Sequence, residues 1–153
     1  LKQSNGRFLA KGEVSDWVQV KGEAASYGDN ANETQGYWNY VTDTVNAWYD
    51  AQIAAGMTAA QVEAKLKEFD KVDRYDADGD GNFAEPDGYI DHFQAIHAGE
   101  GEEAGGGVLG DDAIWSHRWY VNANQIGKTG PSNNKAGGAQ IGRSSIWVGD
   151  YTT

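Results

Sequence analysis

The 153-residue chain has no cysteine, two prolines and one methionine. Without thiols there are no disulfides, thiolate nucleophiles or soft-metal clusters, while the redox compartment stays open. With so little proline, turns must come from the 21 glycines, which reach left-handed backbone conformations without a side-chain clash. Long apolar runs are also missing, and none approaches the ~18 residues that a membrane span requires. The opening, Leu1 to Lys11, lacks the apolar centre of a signal peptide, so any export signal is expected to have been removed already. Basic residues are scarce, 12 against 23 acids, giving a net charge of -11. That field opposes nucleic acid and anionic membranes and favours cations.

What is present suffices for one domain. A chain of this length buries about two-thirds of its unfolded surface, and 39% apolar residues, with six Trp, eight Tyr and four Phe, can fill the core. Tyr37, Val41, Val45, Trp48, Tyr49 and Ile53 recur near the helical period behind Asn32, with Gln35 as its capping partner, and predict a long helix closed by Gly56. Tyr37, Trp38 and Trp48 are read as core packing rather than a ligand groove. A second helix starts at Thr58, where Gln61 completes a capping box and Met57 can staple onto Val62. Val62, Leu66 and Phe69 form its apolar face, Glu63 and Lys67 pair on its outside, and it should fade near Asp70 to Asp73. Strands are expected at Tyr89 to His97, within Ala113 to Val121 and at Ser145 to Tyr151, with Trp17 to Val20 a strand or part of an arm. Glycine-rich loops should fill Glu100 to Gly110 and Asn122 to Gly142.

The negative charge is concentrated: 14 of the 23 acids lie between Glu68 and Asp112. Within that stretch Asp76, Asp78 and Asp80 occupy positions 1, 3 and 5 of a calcium-type loop, Gly81 position 6 and Asp87 position 12. Three carboxylates at this spacing repel one another unless a hard cation sits among them, and Gly81 permits the turn that brings the Asn82 carbonyl to the same centre. Oxygen donors without histidine or cysteine favour calcium over zinc, and a many-carboxylate cage favours it over magnesium. Glu85 and Asp91 are further candidate ligands, and Phe83 at position 8 is expected to anchor the loop in the core. Ala84 at position 9, Asp87 in place of the usual glutamate and Pro86 near the exit depart from a helix-loop-helix site, so a strand should follow. A single loop suggests a structural ion rather than a sensor. His92, His97 and His117 lack the spacing of a zinc-binding helix, and Ser116 beside His117 lies in no nucleophile turn, so these residues are read as structural.

The run from Asp76 to Gly99, with Asp-Ala-Asp-Gly-Asp-Gly-Asn-Phe-Ala-Glu-Pro-Asp-Gly-Tyr-Ile-Asp-His-Phe at its head, resembles the immune inhibitor A-like secreted metallopeptidases of the M6 class. Glu102 to Gly107, Asp112 to Trp119 with its Trp-Ser-His-Arg-Trp, and Ile146 to Tyr151 extend the resemblance over nearly the whole chain. The resemblance implies export, a zincin-like fold, structural calcium and cleavage of proteins by zinc-activated water. It implies an α/β fold: a partial zincin-like domain with a mixed sheet, two main helices and a calcium-binding loop, residues 1–153 being the N-terminal portion of the catalytic domain. The calcium residues carried over are Asp76, Asp78, Asp80, Asn82 and Asp87, with Glu85 and Asp91 as additions, and no catalytic residue is carried over. The zinc-binding His-Glu-x-x-His helix is expected downstream of Thr153, so this stretch alone should be inactive. Expected partners are the remainder of the catalytic domain and, for the complete enzyme, a protein or peptide substrate. The alternative is a self-contained, calcium-stabilised module that binds peptide or glycan through exposed tyrosines and tryptophans.

Overall fold

The computed structural model describes residues 12–153, and the opening read as Leu1 to Lys11 lies outside the described residues. The spine of the fold is α2, Glu33–Ala54, which follows a short α1 at Ala24–Gly28. Its apolar residues point two ways. Trp38, Val41, Val45 and Tyr49 enter one core with Val62, Leu66, Val121, Ile146, Val148 and Tyr151. Tyr37 and Tyr40 enter a second with Tyr27, Ala95 and Ile114. The expected Asn32–Gln35 cap does not form: the Asn32 side chain donates to Asp29, and the Gln35 amide donates to Asn39 one turn on. No apolar period announces α1. It is held from outside, by Tyr27 burying its ring and donating its hydroxyl to Asp43 at 2.8 Å.

Helix α3, Ala59–Leu66, begins as its sequence requires. Thr58 Oγ1 accepts the Gln61 N–H at 3.3 Å and the Thr58 N–H is received by Gln61 Oε1 at 2.8 Å, a reciprocal cap. Met57 packs on the core that contains Val62, Glu63 pairs with Lys67 at 2.7 Å, and a single 3₁₀ turn, Lys67–Phe69, ends the segment.

The extended segments are short. β1, Arg118–Tyr120, pairs antiparallel with β4, Asp150–Thr152, while β2, Ala139–Gln140, pairs antiparallel with β3, Trp147–Val148. On the other side of β3 and β4, single parallel bridges join Tyr89 to Trp147 and Gln94 to Thr152. The segment 89–97 is therefore not the continuous strand its composition suggests. Tyr89 follows β3 and Gln94 follows β4, but the stretch between them is drawn aside, because the Asp91 N–H donates to the Phe69 carbonyl and the Asp91 carboxylate receives the Lys71 and Val72 N–H groups. Trp17 to Val20 forms no regular element, and Val14 and Trp17 stand in solvent.

Candidate metal centre

Where the 3₁₀ turn after α3 ends, the chain meets two buried acids, Asp70 at 2% exposure and Asp73 at 3%. Their burial is made tolerable by backbone donors, since an unpaired carboxylate there would cost several kcal/mol. Asp73 accepts from Tyr75 N at 3.1 Å and Ala77 N at 2.7 Å, which fixes the entrance of the acidic loop. Asp70 accepts from Asp87 N at 2.9 Å and Gly88 N at 3.1 Å, which fixes its exit. Between these clamps the loop turns on itself through side chain to backbone bonds. Asp76 Oδ1 receives Gly81 N at 3.0 Å, Asp78 Oδ1 receives Asp80 N at 3.2 Å, and Asp80 Oδ1 receives Asn82 N at 2.7 Å. Asp76 takes a left-handed backbone with φ 52°, a conformation that Asp tolerates better than most residues.

Two groups of carboxylates result, Asp76 with Asp78 and Asp80, and Asp73 with Asp78 and Glu85; in each, one oxygen per residue lies within 4.8 Å of the others. Ligand oxygens that each lie ~2.4 Å from one calcium ion can be no more than ~4.8 Å apart, a limit that both groups meet. The clusters can therefore hold a metal ion, and their all-oxygen donors suit a hard one. Desolvation first, then the charges of Asp80 and Asp78, push the Glu85 carboxyl up. The Asn82 amide donates to Glu85 at 2.8 Å and holds it over the loop.

Asp76, Asp78 and Asp80 lie together in one group and Glu85 lies with Asp73 and Asp78 in the other, with the Asn82 amide on Glu85. Asp87 and Asp91 lie outside both groups. Asp87 accepts the Tyr89 N–H at 2.9 Å and lines a small cleft with Arg74, Tyr75, Tyr120 and Asp150, while Asp91 holds Lys71 and Val72. Phe83 is 53% exposed and anchors nothing, because the turn at Gly81 aims it outward. The loop exits into isolated bridges at Tyr89 and Gln94 rather than into the expected strand. Sequence reading passed over Asp73. The one available signal was the three-residue spacing of Asp70, Asp73 and Asp76, which brings acids back to one side of a tight turn.

Burial, then the charges of Asp70, Asp73 and Asp91, push the Asp87 carboxyl up to about 6. Burial raises Asp70 as well. The folded state therefore holds these protons more tightly than the unfolded chain, so their contribution to stability is full at acid pH and is lost as pH rises, for Asp87 through about 6. In metal-free buffer, urea midpoints should fall between pH 4.5 and 7, and Asp87→Asn should flatten that fall. A midpoint that rises over the same range and is unaltered by the substitution would contradict this assignment.

The histidines are dispersed. His117 Nε2 lies 2.8 Å from the Tyr151 hydroxyl, with its ring 4.3 Å from that of Tyr37; His97 meets Tyr40 edge-on, and His92 is exposed. Among the described residues, neither group of potential metal ligands contains a histidine.

Across residues 1–153 the sequence matches the family model described as immune inhibitor A peptidase M6, catalytic domain. The chain belongs to the immune inhibitor A family of M6 peptidases. It is 44% identical over 126 residues to immune inhibitor A of Bacillus thuringiensis subsp. alesti, an alignment covering 78% of this chain and 17% of that protein. It is 41% identical over 119 residues to the pre-pro-metalloprotease PrtV of Vibrio cholerae serotype O1, covering 78% of this chain and 12% of PrtV. The chain thus spans under a fifth of the length of these M6 relatives. Membership of the M6 family supports a secreted, extracellular location. Among the described residues no helix is long and apolar enough to cross a membrane.

Proposed function

We propose that this M6 chain is the N-terminal portion of the catalytic domain of a zinc-dependent metalloendopeptidase that hydrolyses protein substrates, and that calcium in the acidic loop fastens this portion. The match of the whole chain to the M6 catalytic domain supports the enzyme class. The convergence of Asp76, Asp78 and Asp80, with Glu85 reaching Asp78, supports the ion. Asp76, Asp78, Asp80, Glu85 and the Asn82 carbonyl would hold it. Asp87 and Asp91 would act mainly by holding the flanking backbone, where their hydrogen bonds already lie. Zinc would be bound by residues beyond Thr153, and no step of peptide hydrolysis is assigned to the residues described. The binding-module reading draws on Trp115 and Trp119, 46% and 41% exposed. A module reading does not require the match to a peptidase domain, whereas the enzyme reading accounts for it.

Calorimetric titration of the metal-stripped protein tests the ion. Saturable heat with calcium, and none with magnesium at equal concentration, is expected, because magnesium requires a tighter octahedral shell and surrenders its water reluctantly. The absence of any saturable calcium heat would overturn the assignment.

A further inference from the structure

We propose that Arg74 and Tyr75 couple cation occupancy of the acidic loop to the end of the β1–β4 ladder, so that an ion held in the loop also orders residues 150–152. The inference rests on the cation reading above and deepens it. Arg74 and Tyr75 are the two residues between Asp73 and Asp76, one acid from each carboxylate group. Their backbone belongs to the site, since the Tyr75 N–H donates to Asp73 Oδ1 at 3.1 Å. Their side chains leave it and meet at one atom 75 residues further along the chain. Arg74 Nη1 donates to Asp150 Oδ2 at 2.7 Å, and the Tyr75 hydroxyl donates to the same oxygen at 3.3 Å. The second Arg74 nitrogen donates to the Asp91 carbonyl at 3.0 Å, which steadies the guanidinium.

Asp150 opens β4 and stands opposite Tyr120 of β1, and Arg118, two residues before Tyr120 on that strand, places Nη2 2.9 Å from the same Asp150 oxygen. A single carboxylate oxygen thus gathers donors from the loop entrance and from the partner strand. In the absence of an ion, mutual repulsion of the loop acids works against the closed entrance. When an ion is bound, the entrance is fixed, Arg74 and Tyr75 are fixed with it, and the tie to Asp150 loses less entropy on forming. By linkage, loosening that tie must weaken ion binding by the same factor.

The sign of one substitution separates this coupling from simple electrostatics. Removing a positive charge beside an anionic site should, by charge alone, strengthen calcium binding, whereas loss of the tether should weaken it. Calorimetric titration with calcium is therefore made on metal-stripped wild type, Arg74→Gln, Tyr75→Phe and Arg118→Gln, with amide exchange followed over residues 150–152. Arg74→Gln should bind calcium about fivefold more weakly, Tyr75→Phe more weakly by a smaller factor, and Arg118→Gln no more weakly than wild type. Exchange over 150–152 should slow on calcium addition in wild type and not in Arg74→Gln. If wild type binds calcium and Arg74→Gln binds it equally or more tightly, or if Arg118→Gln loses as much as Arg74→Gln, the coupling is overturned while the cation site stands. If wild type shows no calcium heat, the site and the coupling fall together. Tyr75→Phe removes one hydroxyl from an exposed ring and retains the fold if Arg74→Gln does not.

Discussion

Calcium at about a hundred times its dissociation constant should stabilise the folded chain by about 2.7 kcal/mol, which for a domain of this size raises the thermal midpoint by about 5–10 °C. Asp78→Ala should remove most of that gain. Asp78 is the one carboxylate common to both acidic groups, so its loss opens each of them. It also accepts the Asp80 N–H, which sets the direction of the next ligand. In chelator the same substitution should be close to neutral or mildly stabilising, because it takes away one of several like charges that repel across a few ångströms. The pair of measurements thus has a crossover: Asp78→Ala matches or exceeds wild type without calcium and falls well below it with calcium. Scanning calorimetry in chelator and in millimolar calcium reads this directly. Equal midpoints of wild type in the two buffers would remove the fastening role altogether. Ordinary destabilisation by the substitution, equal in both buffers, would show that Asp78 serves the loop only through its bond to Asp80.

The parts legible in the sequence are those decided within a few residues. α3 is announced because Thr58 and Gln61 satisfy one another across a single turn, and α2 because Val41, Val45 and Tyr49 return to one face whatever lies beyond it. The meeting of Asp76, Asp78 and Asp80 is equally local. The parts that were not legible depend on partners far along the chain. Asp91 breaks a well-patterned strand only because Phe69, Lys71 and Val72 lie beside it, about twenty residues earlier. Asp73 looks like one acid among many until its burial shows that it holds the loop entrance. α1 exists because Tyr27 finds Asp43 and the second core, information that a five-residue window does not contain. The outward position of Phe83 follows from turn geometry rather than from its hydrophobicity, which argued for burial.

Gly142→Ala should be strongly destabilising, costing about 3 kcal/mol or more. Gly142 adopts φ 57°, in the left-handed region, and a Cβ built there would meet the Tyr49 ring at 2.1–2.5 Å. Two penalties therefore act together: about 1–2 kcal/mol for a left-handed alanine, and about 1–3 kcal/mol for forcing volume into a packed core. Neither neighbour can yield cheaply. Tyr49 is 2% exposed on the inner face of α2, and the Gly142 N–H donates to Asn46 Oδ1 at 3.1 Å, one turn back on the same helix. The turn itself is locked by the Ser144 hydroxyl on the Ile141 carbonyl and by the Ile141 N–H on the Ile146 carbonyl. Urea unfolding of Gly142→Ala, Tyr49→Leu and the double variant forms a test cycle. Tyr49→Leu alone loses buried ring contacts, but in the alanine background it also makes room for the new methyl, so the double variant should lose clearly less than the two single losses combined. Strict additivity would mean that the turn does not bear on Tyr49. The damage should also reach the acidic loop, because Trp147 at the end of this hairpin receives the Ile90 N–H and donates to the Gly88 carbonyl, directly beside the exit that Asp70 clamps. Weakened calcium binding in Gly142→Ala, measured where the variant is still folded, would show that this hairpin supports the ion site from behind.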